Sequence, residues 1–278
     1  MKRLLLLFFL LACSSPETRV REEFKIPSWQ LEKLKELDKR PQIFENSTYL
    51  DARPYFLYQL SHVDGSHPIS PDDFFQVNSA GKTVLTSKHF FQARRLARYG
   101  LSKDSPVVVI GRGKAGEGEE WLLKLYLNYI GVKEVLALDP KGFSFKETSV
   151  IPILPSSEKT WKPTFNESLI VTASDIASLK AKADLRADNT MVVDVNPAAQ
   201  YLNSEVAELA GIPRINIPWQ EFLGDNSRPN TKIFDSLVSA GLHPNKRILC
   251  VDDQISNAAV ACMVLQEMGF YNAGVYLK

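Results

Sequence analysis

The stretch with the most chemistry in it runs from Arg247 to Met268, RILCVDDQISNAAVACMVLQEM. Ile248–Val251 is a short apolar run of strand-forming residues. Asp252, Asp253, Gln254, Ile255, Ser256 and Asn257 make a polar turn broken by one isoleucine. From Ala258 a helical spacing takes over through Ala261, Cys262, Leu265 and Met268. A buried strand that ends in a tight loop before a helix gathers free backbone N–H groups. Such a loop cradles an anion or an activated nucleophile. Asp252 holds its first position. Cys250 lies two residues earlier on the same face of the strand, roughly 6–7 Å further into the sheet. A buried thiol has a raised pKa and little access, so Cys250 reads as a core residue before it reads as a nucleophile.

Other candidates are weaker. Gly111-Arg112-Gly113-Lys114-Ala115-Gly116-Glu117-Gly118-Glu119-Glu120 is a glycine-rich loop after a strand. Its spacing is not that of a phosphate-binding GxxxxGK loop, and its three glutamates would face any phosphate. It reads as a loop without a catalytic task, in which Arg112 and Lys114 are candidates for holding an anion. Asp252 and Asp253 alone are a poor cation site. They read instead as acidic residues favoured at a helix N-terminus. Cys250 and Cys262 are twelve positions apart and match neither a CxxC nor a zinc spacing. Asp51 and Asp194 sit at strand ends. His67, His89 and His243 read as surface or loop positions. No Ser/His/Asp arrangement is present. Trp219 and Phe222 read as core, and Arg94, Arg95 and Arg98 as a solvated helix face. Neither a metal site nor a cofactor is expected.

The elements that must hold these residues follow one plan twice. The first block has a strand that ends in a turn over Tyr49–Pro54, a second turn at His62–Gly65, a helix over Phe90–Tyr99 closed by Gly100, a buried strand at Pro106–Gly111, a helix over Glu119–Tyr129 and a strand at Glu134–Leu138. The second has Met191–Pro197, then Gly211–Trp219, a helix over Ile233–Ala240 closed by Gly241, Ile248–Val251, the helix from Ala258 to Met268, and Gly274–Leu277. Asp51 precedes Gly100 by 49 positions and Asp194 precedes Gly241 by 47. Gly100 precedes Gly131 by 31 and Gly241 precedes Gly269 by 28. Equal order and near-equal spacing argue for duplication of one α/β unit. Strands separated by helices imply mainly parallel sheets with helices on both faces.

The chain of 278 residues has length for two such units. Its formal net charge of +1 gives no electrostatic case for nucleic acid. The N-terminus differs from the rest. Lys2-Arg3 precedes eight residues, Leu4–Leu11, that are all Leu or Phe, and Ala12-Cys13-Ser14-Ser15 follow. A basic start, a short apolar run and a small residue before the cut make a bacterial export signal too short to span a bilayer. Leu10-Leu11-Ala12-Cys13 resembles a lipobox, which implies acylation of Cys13 and a membrane anchor without a spanning helix. The expected organisation is a signal over 1–12, a lipidated N-terminus and tether over 13–45 with a short helix at Trp29–Leu37, one unit over 46–143, a Pro/Ser/Thr-rich linker over 144–164, and a second unit over 165–278. The tether helix has an alternative, packing on the body. The expected location is the cell envelope.

The residues then carry a resemblance. Asp194-Val195-Asn196-Pro197, Ala210–Trp219 (AGIPRINIPW), Gly241-Leu242, Ile248–Val251 and Leu265–Phe270 resemble the rhodanese domain. Asp51-Ala52-Arg53, His62–Gly65, Gly100-Leu101, Pro106–Ile110 and Val135–Asp139 resemble it in the first block. Together they look like the tandem arrangement of thiosulfate sulfurtransferases. The resemblance implies a cysteine at the head of the strand–helix loop that carries sulfur as a persulfide, with Gly at the fourth loop position and Arg at the sixth. This chain has Asp252, Ile255 and Asn257 at those three places, and Asn196 where an Arg is common. An aspartate holds no persulfide. At ~4 Å and an effective dielectric near 20, its charge would repel an anionic donor by roughly 4 kcal/mol. The expectation is a lipid-anchored module that binds an unknown protein or small anion without sulfur transfer. The alternative is an active sulfurtransferase using Cys250.

Overall fold

The computed structural model describes residues 26–277 except 45, 80, 82, 142, 155–159, 182–188 and 202–205. The expected export signal and Cys13 lie outside the described residues. In chain order the elements used below are helix α1 (Ser28–Leu37), strands β1 (Thr48–Asp51) and β2 (His67–Pro68), helix α2 (His89–Arg98), strand β3 (Val107–Ile110), helix α3 (Glu119–Tyr129), strands β4 (Val135–Leu138) and β5 (Ile170–Thr172), helix α4 (Ala173–Ala181), strands β6 (Thr190–Asp194) and β7 (Arg214–Asn216), helix α5 (Phe234–Ser239), strand β8 (Arg247–Val251), helix α6 (Ile255–Glu267) and strand β9 (Ala273–Leu277).

The two central sheets are parallel throughout. The first has the order β2-β1-β3-β4 and the second β7-β6-β8-β9-β5. The orders correspond, with β5 added at one edge of the second. Apolar, largely β-branched runs such as Val107–Ile110 and Ile248–Val251 are what a sheet buried on both faces requires. The alternation is visible in the second sheet. Met191, Val193, Ile248, Cys250, Ala273 and Val275 face α6 in the main core. Val192, Leu249, Val251 and Tyr276 face the other way, with Ile176 of α4. In the first sheet the face opposite the main core carries Val108, Ile110 and Leu138, covered by Val63, Ile43, Phe143 and Phe145.

The main core runs through both units. Its centre is α3 against α6, the helices that follow the equivalent strands β3 and β8. Residues 257–265 of α6 are all buried, as are 119–127 of α3. Neither helix has a polar face for water, so each must be covered on both sides. Buried polar contacts stitch the seam. The Trp121 indole N–H donates to Ser227 Oγ at 2.7 Å. Lys124 pairs with Glu267, and the Asp139 amide donates to the Asn226 carbonyl at 3.1 Å.

The repeat also has a backbone signature. Gly131 and Gly269 end α3 and α6 at φ +97° and +93°. The next residue in each case donates back five positions, Val132 to Leu127 and Phe270 to Leu265, both at 2.9 Å. This is the helix stop that a left-handed residue permits. Gly100 and Gly241 close their helices with the same pair of bonds.

The helix expected at Trp29–Leu37 packs on the second unit. The Gln30 side chain is fully buried and its amide donates to the Met268 carbonyl at 3.0 Å. The Trp29 ring stacks on Tyr271 at 5.7 Å. Residues 28–37 of the expected tether therefore belong to the folded body. Part of the expected linker is also engaged. Glu147-Thr148 pair antiparallel with His62-Val63, and the Thr164 amide donates to the Ile130 carbonyl at 3.1 Å.

Docking of α1 rests on the missing side chain at position 269. A Cβ there would lie 2.7 Å from the Trp29 ring. Gly269→Ala is expected to cost about 1–2 kcal/mol for the left-handed backbone and more for the displaced Trp29. Gly211→Ala, at φ +83° with open space around its Cβ, should cost the backbone share alone. Urea unfolding of the two variants measures the difference.

Candidate functional site

The polar turn is shorter than its sequence suggests. Helix α6 begins at Ile255, so Ile255, Ser256 and Asn257 are its first turn and only Asp252–Gln254 remain as loop. The apolar character of Ile255, which reads as an interruption of a polar run, marks the helix start instead. Ile255 packs against the main core.

Asp252 is buried at the carboxyl end of β8. Its Oδ1 accepts the Gln254 amide at 2.7 Å and the Asn257 side-chain amide at 3.2 Å. Its Oδ2 has no hydrogen-bond partner among the described residues. Burial pushes the carboxyl pKa up, and the two hydrogen bonds oppose that shift. The loop's donors are thus aimed at an anion that the chain itself supplies. Asp253 is tied back through its amide, 3.5 Å from Asn196 Oδ1.

Neither body cysteine reaches this loop. Cys250 and Cys262 are free thiols with no exposed surface. Burial, then the neighbouring Cys262, raises the Cys250 thiol well above its ordinary pKa. Thiolate chemistry needs the opposite environment, cationic and partly open.

The strand-end aspartates are structural, and the two units anchor them differently. In the first, Arg53 sits two residues beyond Asp51 and grips it, Nε to Oδ1 at 2.9 Å and Nη2 to Oδ2 at 2.6 Å. In the second, Asn196 stands at the place of Arg53. Its amide and side chain donate to Asp194 Oδ1 at 2.9 and 3.1 Å. The guanidinium comes instead from Arg214 on the adjacent strand β7, bonded to Asp194 Oδ2. The cation has moved to a neighbouring strand, and the buried charge is still paired.

The glycine-rich loop is as internally committed as the aspartate loop. Arg112, a candidate for anion binding, is bound by Glu119, Nε to Oε1 at 2.6 Å. Glu119 also accepts the Glu117 amide at 2.8 Å. Lys114 is exposed. Glu120 is fully buried and meets Ser227 of the second unit, whose hydroxyl donates to its Oε1. Its Oε2 has no hydrogen-bond partner among the described residues. A Cβ at Gly111 would fall 1.9 Å from that oxygen, so the glycine makes room for the carboxyl. Burial raises its pKa to about 7. The sequence reading grouped Glu120 with Glu117 and Glu119 as carboxylates that would face a phosphate in the loop. Nothing in local spacing distinguishes it, although its place on an otherwise apolar helix face was a signal.

Other positions fall as follows. Trp219 and Phe222 are core. His62 is buried, with Nδ1 2.7 Å from the Tyr58 carbonyl. His67 is also buried, stacked on Tyr99 at 4.8 Å, which corrects its reading as a surface residue. Arg95 bonds Asp73 at 2.7 Å, so this side of α2 is not simply a solvated face. Among the described residues no group of three or more His, Cys, Asp or Glu is placed to hold a metal ion, and no helix is long and apolar enough to cross a membrane.

Two outcomes follow. Arg214→Ala leaves the Asp194 carboxylate buried without its cation and is expected to cost about 3–5 kcal/mol in urea unfolding. Glu120 makes stability depend on pH. Its folded pKa lies above the ordinary 4.5, so its contribution is full below that value. It is lost as pH rises through about 7. Glu120→Gln should flatten stability between about pH 4.5 and 7, removing a fall on the order of 3 kcal/mol.

Neither a family model nor a curated protein matches the chain. Solved structures do. A 3-mercaptopyruvate sulfotransferase of Escherichia coli, SseA, superposes with a TM-score of 0.65 at 18% identity, over 89% of this chain and 94% of its own. The Tum1 protein of Saccharomyces cerevisiae gives 0.64 at 16%, over 84% and 87%. An ergothioneine biosynthesis enzyme of Chlorobium limicola gives 0.63 at 16%, over 90% of this chain and 65% of that one. At such identities the likeness is one of architecture: the chain is built of parallel-sheet α/β units in the rhodanese fold, shared with sulfurtransferases.

Proposed function

We propose that this chain is an exported, lipid-anchored protein of the cell envelope that uses two rhodanese-like units for binding and transfers no sulfur. The observation that carries the reading is the Asp252 carboxylate at the head of the β8–α6 loop, taking the donors that would face a sulfur-bearing thiolate. A carboxylate cannot form a persulfide, and a thiosulfate dianion would meet a like charge there. Sulfur carriage by Cys250 would require the thiol to leave a closed core, and burial holds it in the neutral form. Anchoring rests on Lys2-Arg3, the Leu4–Leu11 run and Cys13. Its partner is an unknown protein or small ligand.

Turnover of thiosulfate with cyanide by the purified protein is expected to stay at the uncatalysed rate. It should be unchanged in Cys250→Ala. Alkylation of Cys250 should be slow until denaturant is added. Turnover that Cys250→Ala abolishes, or a persulfide found on the protein by mass spectrometry, would establish the sulfurtransferase alternative. Cys13→Ser should release the protein from the membrane fraction of the host cell. Retention there would remove the anchor from the reading.

A further inference from the structure

A cleft of about 620 Å³ opens at the carboxyl ends of β1, β2 and β3, and Asp252 does not line it. Open parallel sheets take their ligands at such ends, and the size is that of small-molecule sites. Ile69 and Leu122 give it an apolar floor, Tyr55 and Tyr99 line its sides, and Ser256 reaches in from the second unit.

Its charge decides what it can take. Three guanidiniums line the cleft, and each is already bound to a carboxylate. Arg53 holds Asp51 at 2.6 Å, Arg95 holds Asp73 at 2.7 Å and Arg112 holds Glu119 at 2.6 Å. The Glu117 amide is also spent on Glu119. Two more carboxylates line the same space, Asp72 and Glu117. Neither forms an ion pair among the described residues, and Glu117 lies in the field of Arg112, which Glu119 already holds. Three neutral pairs and two further carboxylates leave a wall with an excess of negative charge, in a fold whose loop is otherwise suited to anions.

We propose that this cleft binds a small organic amine. Its ammonium is drawn by Asp72 and Glu117, and its apolar body lies between Tyr55 and Tyr99 over Ile69 and Leu122. The inference rests on the reading of the chain as a binding module and names the ligand class. Tyrosine rings beside a cation add an attraction that an anion would not receive.

Benzylamine and benzoate share one body and carry opposite charges, so calorimetric titration of the full chain with each isolates the sign. Benzylamine is expected to saturate, with benzoate and thiosulfate at least about tenfold weaker. Asp72→Asn and Glu117→Gln, at exposed positions, should each weaken benzylamine about three- to fivefold, and added salt should weaken it further. Absence of saturation, equal or tighter binding of benzoate or thiosulfate, or indifference of both variants would overturn the proposal. Failure of the reading that the chain transfers no sulfur would show elsewhere, as turnover or a persulfide that Asp72→Asn leaves unchanged.

Discussion

The packing of α3 on α6 is the constraint from which the rest follows. Each helix is buried along most of its length, so neither unit can present a finished surface on this side. Burying a Leu or Val side chain is worth about 1.5–3 kcal/mol, and α3 and α6 bury a run of such residues between the two sheets. Alanines at 258, 259 and 261 let the helices approach. The arrangement also fixes where the two strand–helix loops end up. Both feed directly into helices of the seam, and the glycine-rich loop is bordered by the other unit, Gly118 lying against Ser256 and Val260. The cleft of the first unit is accordingly reached by Ser256 of the second.

Within that frame the two units solve equal problems with different residues. A carboxylate at the end of the central strand is buried in each, and a buried charge must be paired. The first unit pairs it locally with Arg53 and the second across strands with Arg214. The loops show a parallel result. Asp252 turns its carboxylate into its own loop, and Glu119 turns its own toward the Glu117 amide and Arg112. Backbone donors that would greet an external anion are answered internally in both. The same logic reaches Glu120, whose neutral form suits its surroundings and whose hydroxyl partner, Ser227, is supplied from the second unit at a left-handed backbone position.

Local order and spacing were enough to establish the repeat, its parallel sheets and the residue at the head of the β8–α6 loop. Continuous apolar runs, helical spacing and glycine stops are written within ten or fifteen residues of one another, so they survive reading along the chain. The same holds for Asp252, whose place depends only on the strand before it and the helix after it. The burial of Cys250 was also legible, because a residue inside an apolar strand between two helices has no route to water.

What only the tertiary structure decided involves partners far apart in the sequence. Arg214 replaces Arg53 because β7 lies beside β6. Glu120 is buried because Ser227 and Trp121 meet across the seam. His67 is stacked because Tyr99 arrives at its strand end. Helix α1 is part of the body because Gly269 leaves room for Trp29. Periodicity tells which face of an element is apolar but not which polar group of another element will meet it. Those meetings are set by how strands order and helices pack, and they determined which charges in this protein are already answered and which still face open space.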